Sequence, residues 1–286
     1  MNLCDINEIK ELLGRHGFHF SKSMGQNFLI AGWVPVEIAE AAGLDADCGV
    51  LEVGPGIGPL TVQLAQRAGK VLSVELDRTL LPVLDETLAE YDNVSVLPGD
   101  IMKLNLDTLL DEHLPGLRPV ACANLPYNIT TPVLTKFLEC KRFTALTVMI
   151  QKEAAERICA QPGQEDYGYF SVFCQYFARC EVLFDVPPHC FLPAPKVTSA
   201  ILQLTPYTES PYPVSDEKLF LSIVRAAFAQ RRKTLLNALS SLRFSKEEIR
   251  QALSECGLPE TVRGEKLDVS QFAALCNALI RINSKS

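Results

Sequence analysis

No stretch of about 18 uninterrupted apolar residues occurs in the 286-residue chain, so no membrane-spanning helix and no membrane partner are expected. The start, Met1-Asn2-Leu3-Cys4-Asp5, has no basic region leading into an apolar run, which argues against a secretory signal. The ten cysteines are scattered, and no two form a C-x-x-C pair. The nearest two, Cys174 and Cys180, have no partner pair at zinc-site spacing. Reduced, mostly buried thiols, no metal and a cytoplasmic setting are therefore expected. Internal repeats and low-complexity segments are missing as well. Hydrophobic residues at 48% and charged ones at 21% describe an ordinary globular chain with a sizeable core.

Positive charge is also in deficit, the net charge being -7. Spread evenly, that balance would disfavour a nucleic-acid binder, but it is uneven. Between Ala41 and Val120 there are 13 acidic side chains against 5 basic ones. Between Glu217 and Arg250 there are 8 basic against 3 acidic. A locally basic segment on an acidic protein can meet phosphates, although a solvated helix face gives the same pattern.

Hydrophobic periodicity organises what is present. Ile6, Ile9, Leu12 and Leu13 recur at helical spacing, as do residues from Val34 to Ala42. An alternation of short apolar strands with helices follows. Strands are predicted at Gly49–Val53, Val71–Glu75, Val94–Leu97, Val120–Ala123 and Leu146–Ile150, with helices at Leu60–Ala68 and Leu80–Glu90. That rhythm predicts a doubly wound, mostly parallel α/β sheet. Arg179–Val186 and Ser199–Leu204 flank a proline-rich turn and predict an antiparallel hairpin at its edge. Three prolines between Pro206 and Pro213 suggest a linker. Beyond it only helical patterns occur, so the expected division is a catalytic domain over 1–206 and a small all-helical domain over 207–286.

In such a sheet ligands bind beyond the carboxyl ends of the strands, at the point where strand order reverses. Gly54, Gly56 and Gly58 follow the first of these strands, where missing Cβ atoms admit a tight turn and a close ligand. The spacing is G-x-G-x-G, and Pro59 stands at the third glycine position of the dinucleotide pattern, which disfavours a pyrophosphate. A plain strand-to-helix turn is the other reading. Glu75 closes the next strand, 21 residues after Gly54, where a carboxylate can accept from both ribose hydroxyls. Asp100 follows the third strand and suits either an adenine amino group or a helix N-cap. Together the three strand ends suggest a nucleoside cofactor without a diphosphate, and S-adenosylmethionine fits.

Asn124-Leu125-Pro126-Tyr127 ends the fourth strand. An adenine N6 amine is a poor nucleophile because its lone pair is delocalised into the ring. The Asn124 side-chain oxygen and a backbone carbonyl at Leu125 or Pro126 can accept from its two N–H groups and orient the nitrogen. Pro126 fixes the turn and Tyr127 supplies a ring on which a flipped base can stack.

The segments Lys22–Leu29, Glu52–Gly58, Asn124–Ile129, Gln151–Glu153, Phe191–Val197 and Phe228–Leu235 together resemble the KsgA/RsmA family of bacterial dimethyladenosine transferases, over nearly the whole chain. The resemblance implies a Rossmann-like class I methyltransferase sheet. It also implies dimethylation of adjacent adenosines near the 3' end of small-subunit (16S) ribosomal RNA. It assigns Asn27, Leu29, Gly54, Gly56, Glu75, Asp100 and Asn124 to the cofactor, and makes Phe191 the second aromatic wall opposite Tyr127. Asn27 stands where many relatives have His, and Met24 where many have Leu.

Arg231-Arg232-Lys233 follows the apolar helical stripe from Phe220 to Phe228 and suits phosphate contact, with Lys22 and Lys196 extending the track. The target is expected to be an unpaired adenine, because an A-form duplex hides its bases. The expected partner is small-subunit rRNA in an immature 30S particle, met by a monomer. An Erm-type enzyme acting on large-subunit rRNA shares the core motifs, and an assembly factor without catalysis or an NAD-dependent dehydrogenase are alternatives of other kinds. Intact Asn124, Tyr127 and Glu75 weigh against the assembly factor, and Pro59 with Asn-Leu-Pro-Tyr against the dehydrogenase.

Overall fold

Gly49 to Val53 and the strands after it are almost continuously apolar, which suits a parallel sheet covered on both faces. The computed structural model describes residues 1–18 and 27–284 and divides them into two compact units. Lys22, and with it most of the Lys22–Leu29 segment, lies outside the described residues.

The first unit comprises Met1–Ala155 and Cys180–Pro206. It begins with α1 (Ile6–Arg15), β1 (Phe28–Leu29) and α2 (Trp33–Ala41). The alternation then runs β2 (Cys48–Val53), α3 (Pro59–Ala65), β3 (Lys70–Glu75), α4 (Leu81–Thr87), β4 (Val94–Pro98), α5 (Leu106–His113), β5 (Arg118–Asn124), α6 (Thr130–Cys140) and β6 (Ala145–Gln151). Helix α7 (Lys152–Cys159) and helix α8 (Tyr169–Phe177) come next, before β7 (Ala178–Val186), β8 (Phe191–Leu192) and β9 (Ser199–Pro206).

The large sheet has the order β4-β3-β2-β5-β6-β9-β7. Its pairs β2–β3, β3–β4, β2–β5 and β5–β6 are parallel, and β9 is antiparallel to β6. All six residues of β2 are buried, as a central strand requires. The chain enters the sheet at β2, moves outward through β3 and β4, then crosses to β5 on the other side, so the order reverses between β2 and β5. Crevices for ligands form at such a reversal.

One apolar core joins Val34 and Ile38 of α2 with Leu60 and Leu64 of α3, and both helices pack on Val50, Val71 and Val120 of the sheet. A second gathers Ile9, Leu12 and Leu13 of α1 with Phe28, Ile57, Val83 and Leu84. Asp5 starts α1 by accepting from the backbone N–H groups of Asn7 and Glu8 at 2.9 and 3.0 Å. The two-residue strands β1 and β8 pair antiparallel, Phe28 opposite Leu192 and Leu29 opposite Phe191. Neither is legible as a strand in the sequence, being far below the length at which alternation shows.

The second unit takes Glu156–Arg179 as well as Tyr207–Ser286. The boundary expected at Pro206 is thus one of its edges, and α8 is the difference. Helix α8 is strongly aromatic and buries that surface within the second unit, against α9 (Glu217–Ala229). Tyr176 meets Phe220 with ring centroids 4.3 Å apart, and Tyr167 meets Phe228 edge-on at 5.7 Å. The fully buried Tyr167 hydroxyl donates to the Leu267 carbonyl at 2.8 Å. Helix α10 (Leu235–Ala238) follows, then α11 (Lys246–Glu255) and α12 (Val269–Asn283), the last two opened by capping boxes at Ser245/Glu248 and Asp268/Gln271. All of its described regular elements apart from the start of β7 are helical.

Candidate active site

A cavity opens at the carboxyl ends of β4, β3, β2 and β5, and it collects residues that are far apart in the chain. The loop after β2 reaches it with Gly54, Pro55 and Gly56. Gly56 has φ 63°, and a Cβ there would stand 3.5 Å from the Phe28 ring. Gly58 has φ 95°, and a Cβ there would press on Leu88 at 3.1 Å and Thr87 Oγ1 at 3.3 Å. Both positions therefore favour glycine for conformation, and Gly58 for space as well.

Glu75 ends β3 and is 6% exposed. Its Oε1 accepts the Asp77 N–H at 2.7 Å. Burial pushes the carboxyl above its ordinary range, against the opposing pull of backbone N–H groups at Asp77, Gly56 and Leu76. Asp100 follows β4, and its Oδ1 accepts from the Met102 N–H at 3.0 Å. It caps no helix, because α5 begins six residues later and is capped by Asn105. The turn between them is tied to α6 by Lys136, whose Nζ donates to the carbonyls of Met102 at 3.0 Å and Leu104 at 2.6 Å.

Asn124 is the last residue of β5 and lies opposite Met149 of β6. Its side-chain amide makes no hydrogen bond with a described residue, and it lines the cavity. Pro126 has its carbonyl engaged by the Ile129 N–H at 3.1 Å. The Leu125 N–H donates to Met149 at 3.1 Å, while its carbonyl accepts from no backbone N–H among the described residues. Of the two expected backbone acceptors, Leu125 is thus the available one. Tyr127 shares a 2.8 Å hydrogen bond between its hydroxyl and Ser199 Oγ, and burial raises its phenol. Phe191 lines the same cavity although only 3% exposed, held there by the β1–β8 pair, which also brings in Asn27 and Leu29.

Of the cavity residues with no role legible in the sequence, three stand beside the expected ones. Leu76 is 56% exposed and Ile101 is buried, two apolar walls beside Glu75 and Asp100. Glu52, two residues before Gly54, is 1% exposed and accepts from the hydroxyls of Thr61 at 2.7 Å and Ser73 at 2.6 Å. An acidic residue inside an apolar strand was the available signal for it.

The basic residues stand elsewhere. Lys196 is exposed, in the segment after β8. Arg231, Arg232 and Lys233 belong to the second unit and occupy the turn after α9, not a helix as the apolar stripe suggested. Arg231 donates to the carbonyls of Glu165 at 2.6 Å and Tyr167 at 2.9 Å, so it secures the second unit internally. No disulfide forms and no metal-binding cluster occurs among the described residues.

Residues 17–281 match the family model for ribosomal RNA adenine dimethylase. The chain is 46% identical over 277 residues to a ribosomal RNA small subunit methyltransferase A of Geobacillus thermodenitrificans, covering 95% of this chain and 94% of that protein. It is 45% identical over 276 residues to the protein of that name from Alkaliphilus oremlandii, covering 95% and 96%. Among solved structures it resembles a dimethyladenosine transferase from Plasmodium falciparum, with a TM-score of 0.75, 27% identity and 90% and 98% of the chains covered. It also resembles the 23S rRNA methyltransferase ErmE, with a TM-score of 0.69, 27% identity and 89% and 100% covered. Motif, fold and relatives agree, and the chain belongs to the ribosomal RNA adenine dimethylase family.

Proposed function

We propose that the protein dimethylates the N6 amino group of adenines in small-subunit ribosomal RNA, using S-adenosylmethionine. The observation that carries this reading is Asn124, whose amide has no described partner and opens into the cavity lined by Glu75, Asp100 and Tyr127.

The cavity residues fit that cofactor. Glu75 is placed to accept from ribose hydroxyls, Asp100 can turn its second carboxyl oxygen, which stands 3.7 Å from the exposed Lys103 ammonium, to an adenine amino group, and Leu76 and Ile101 offer apolar faces to its ring. Gly54 and Gly56 line the cavity with backbone alone, so a ligand can approach the loop closely. When bound, the cofactor supplies a methyl group on a cationic sulfur. Asn124 Oδ1 and the Leu125 carbonyl accept from the two N–H groups of the target amine, turning its lone pair toward the methyl. Tyr127, anchored by Ser199, and Phe191 hold the flipped base between them. The amine needs no strong base, because its proton leaves readily once nitrogen carries positive charge. Lys196, Arg232 and Lys233 contact RNA phosphates. The reading extends to a monomer acting in the cytoplasm on an immature 30S particle, with the first unit as catalytic domain and the second for RNA.

Incubating the protein with labelled S-adenosylmethionine and unmethylated small or large ribosomal subunits, followed by nucleoside analysis, tests the reading. Label in N6,N6-dimethyladenosine from small subunits is expected. Label from large subunits alone would instead support the Erm-type activity, which the names and higher identity of the curated relatives disfavour.

A further inference from the structure

Glu52 is a charged side chain at the cavity to which the proposed function gives no role. It is all but excluded from bulk solvent, and both groups that donate to it, the Thr61 and Ser73 hydroxyls, reach the same oxygen, Oε2. No described group hydrogen-bonds Oε1, and the residue lines the cavity. The described groups facing it are all neutral or acidic: Thr61 from α3, Ser73 and Glu75 from β3, and the Cys122 thiol from β5. Among the described residues no lysine, arginine or histidine acts on it. A buried carboxylate without a cation is unfavourable. Burial first, then the charge of Glu75, accordingly push this carboxyl to about 7, against the two hydroxyls.

Strand order says what cation comes near. Along β4-β3-β2-β5 the ends carry Asp100, Glu75, the glycine loop and Asn124. A cofactor with its adenine at Asp100, its ribose at Glu75 and its methyl at Asn124 would bring its sulfur near the end of β2. Glu52 is the charged side chain of that strand.

We propose that Glu52 is the counter-charge of the sulfonium, so that the site prefers the cationic methyl donor to the neutral thioether product and takes up a proton when the methyl leaves. The inference rests on the cofactor placement proposed above. In the transfer, the C–S bond breaks with its electron pair remaining on sulfur. The N6 lone pair forms the new N–C bond, and the nitrogen's proton passes to water. Sulfur thereby loses its charge, and Glu52, again without a cation, takes a proton from water. Product release is thus favoured by the chemistry itself.

Titration calorimetry of the full chain with S-adenosylmethionine and with S-adenosylhomocysteine tests this, in buffers of different ionisation enthalpy and at pH values on either side of about 7. The methyl donor is expected to release more protons on binding than the thioether. Its preference over the thioether should grow by up to about tenfold per pH unit below the Glu52 value and level off above it. Glu52→Gln should flatten that pH dependence and cut the preference by about tenfold. Equal proton release for the two ligands on the wild-type chain overturns the proposal, even if the variant folds poorly. Glu75→Ala separates the two readings. If it leaves both affinities unchanged, the cofactor placement itself fails. If it weakens both while Glu52→Gln preserves their ratio, only the role of Glu52 fails.

Discussion

Asn124 combines two requirements that compete elsewhere in proteins, a fixed backbone and an uncommitted side chain. Its strand is locked into the sheet opposite Met149, while its amide has no described partner. Asn124→Ala should lower the transfer rate on the order of 10²–10³-fold, the usual loss for one oriented polar group at a reacting centre. Cofactor binding, to which Asn124 adds one contact among several, should weaken far less than transfer when measured by calorimetry, and near-normal transfer by the variant would sink the assigned mechanism. Ser199→Ala probes the ring beside it. Losing the 2.8 Å hydrogen bond to Tyr127 should lower kcat/KM about fivefold, as expected for one neutral hydrogen bond, with cofactor affinity unchanged. Equal losses in both quantities would show that Ser199 supports the sheet and not the ring. Glu52 also bears on stability. The unfolded chain releases this proton near the ordinary 4.5 and the folded chain near 7, so between those values the folded state holds more protons. Stability contributed by the neutral carboxyl is full below the first value and lost as pH rises through the second, about 3 kcal/mol in all. Denaturation across that window should show Glu52→Gln losing less stability than wild type, and parallel curves would refute the assignment.

At the scale of elements, the site depends on short connections more than on the strands that carry them. Strands β1 and β8 contain two residues each, yet their pairing sets Leu29 and Phe191 at the cavity. Lys136 does similar work from α6. Its ammonium group bonds two carbonyls in the turn that follows Asp100. Lys136→Met keeps the stem and removes both bonds, which loosens the Asp100 end of the cavity. Cofactor affinity should fall roughly three- to tenfold, given the usual value of hydrogen bonds to charged groups. A dissociation constant unchanged by the substitution would mean that the turn holds its shape without Lys136.

For the whole molecule the question is how an acidic protein binds RNA. Its net charge of -7 hides a stretch from Glu217 to Arg250 with 8 basic residues and 3 acidic. Within the basic triplet the roles divide, because Arg231 holds carbonyls at Glu165 and Tyr167. Replacing Arg231 would therefore disturb the second unit and confuse the result. Arg232→Glu with Lys233→Glu is the cleaner test. RNA affinity should weaken, and the slope of log affinity against log salt should become shallower by about 1 for each lost phosphate contact, with cofactor binding unchanged. An unaltered slope would place the RNA contacts elsewhere.

The chemistry was legible in the sequence because it depends on residue types at fixed short spacings. Glycines after a strand, Glu75 and Asp100 at successive strand ends, and Asn-Leu-Pro-Tyr all announce themselves locally, and periodicity yields the parallel sheet that carries them. Tertiary structure decided what depends on distant partners. Phe191 could be read alone only as a core aromatic, and it reaches the cavity through a backbone pairing with Leu29, 162 positions away. Helix α8 joined the second unit because its aromatic surface is buried by residues later in the chain. Glu52 read as part of an apolar strand, and its burial, its unpartnered oxygen and its displaced titration exist only once β2 lies between β3 and β5. A residue's type is local, but its desolvation and its partners are properties of the packed fold.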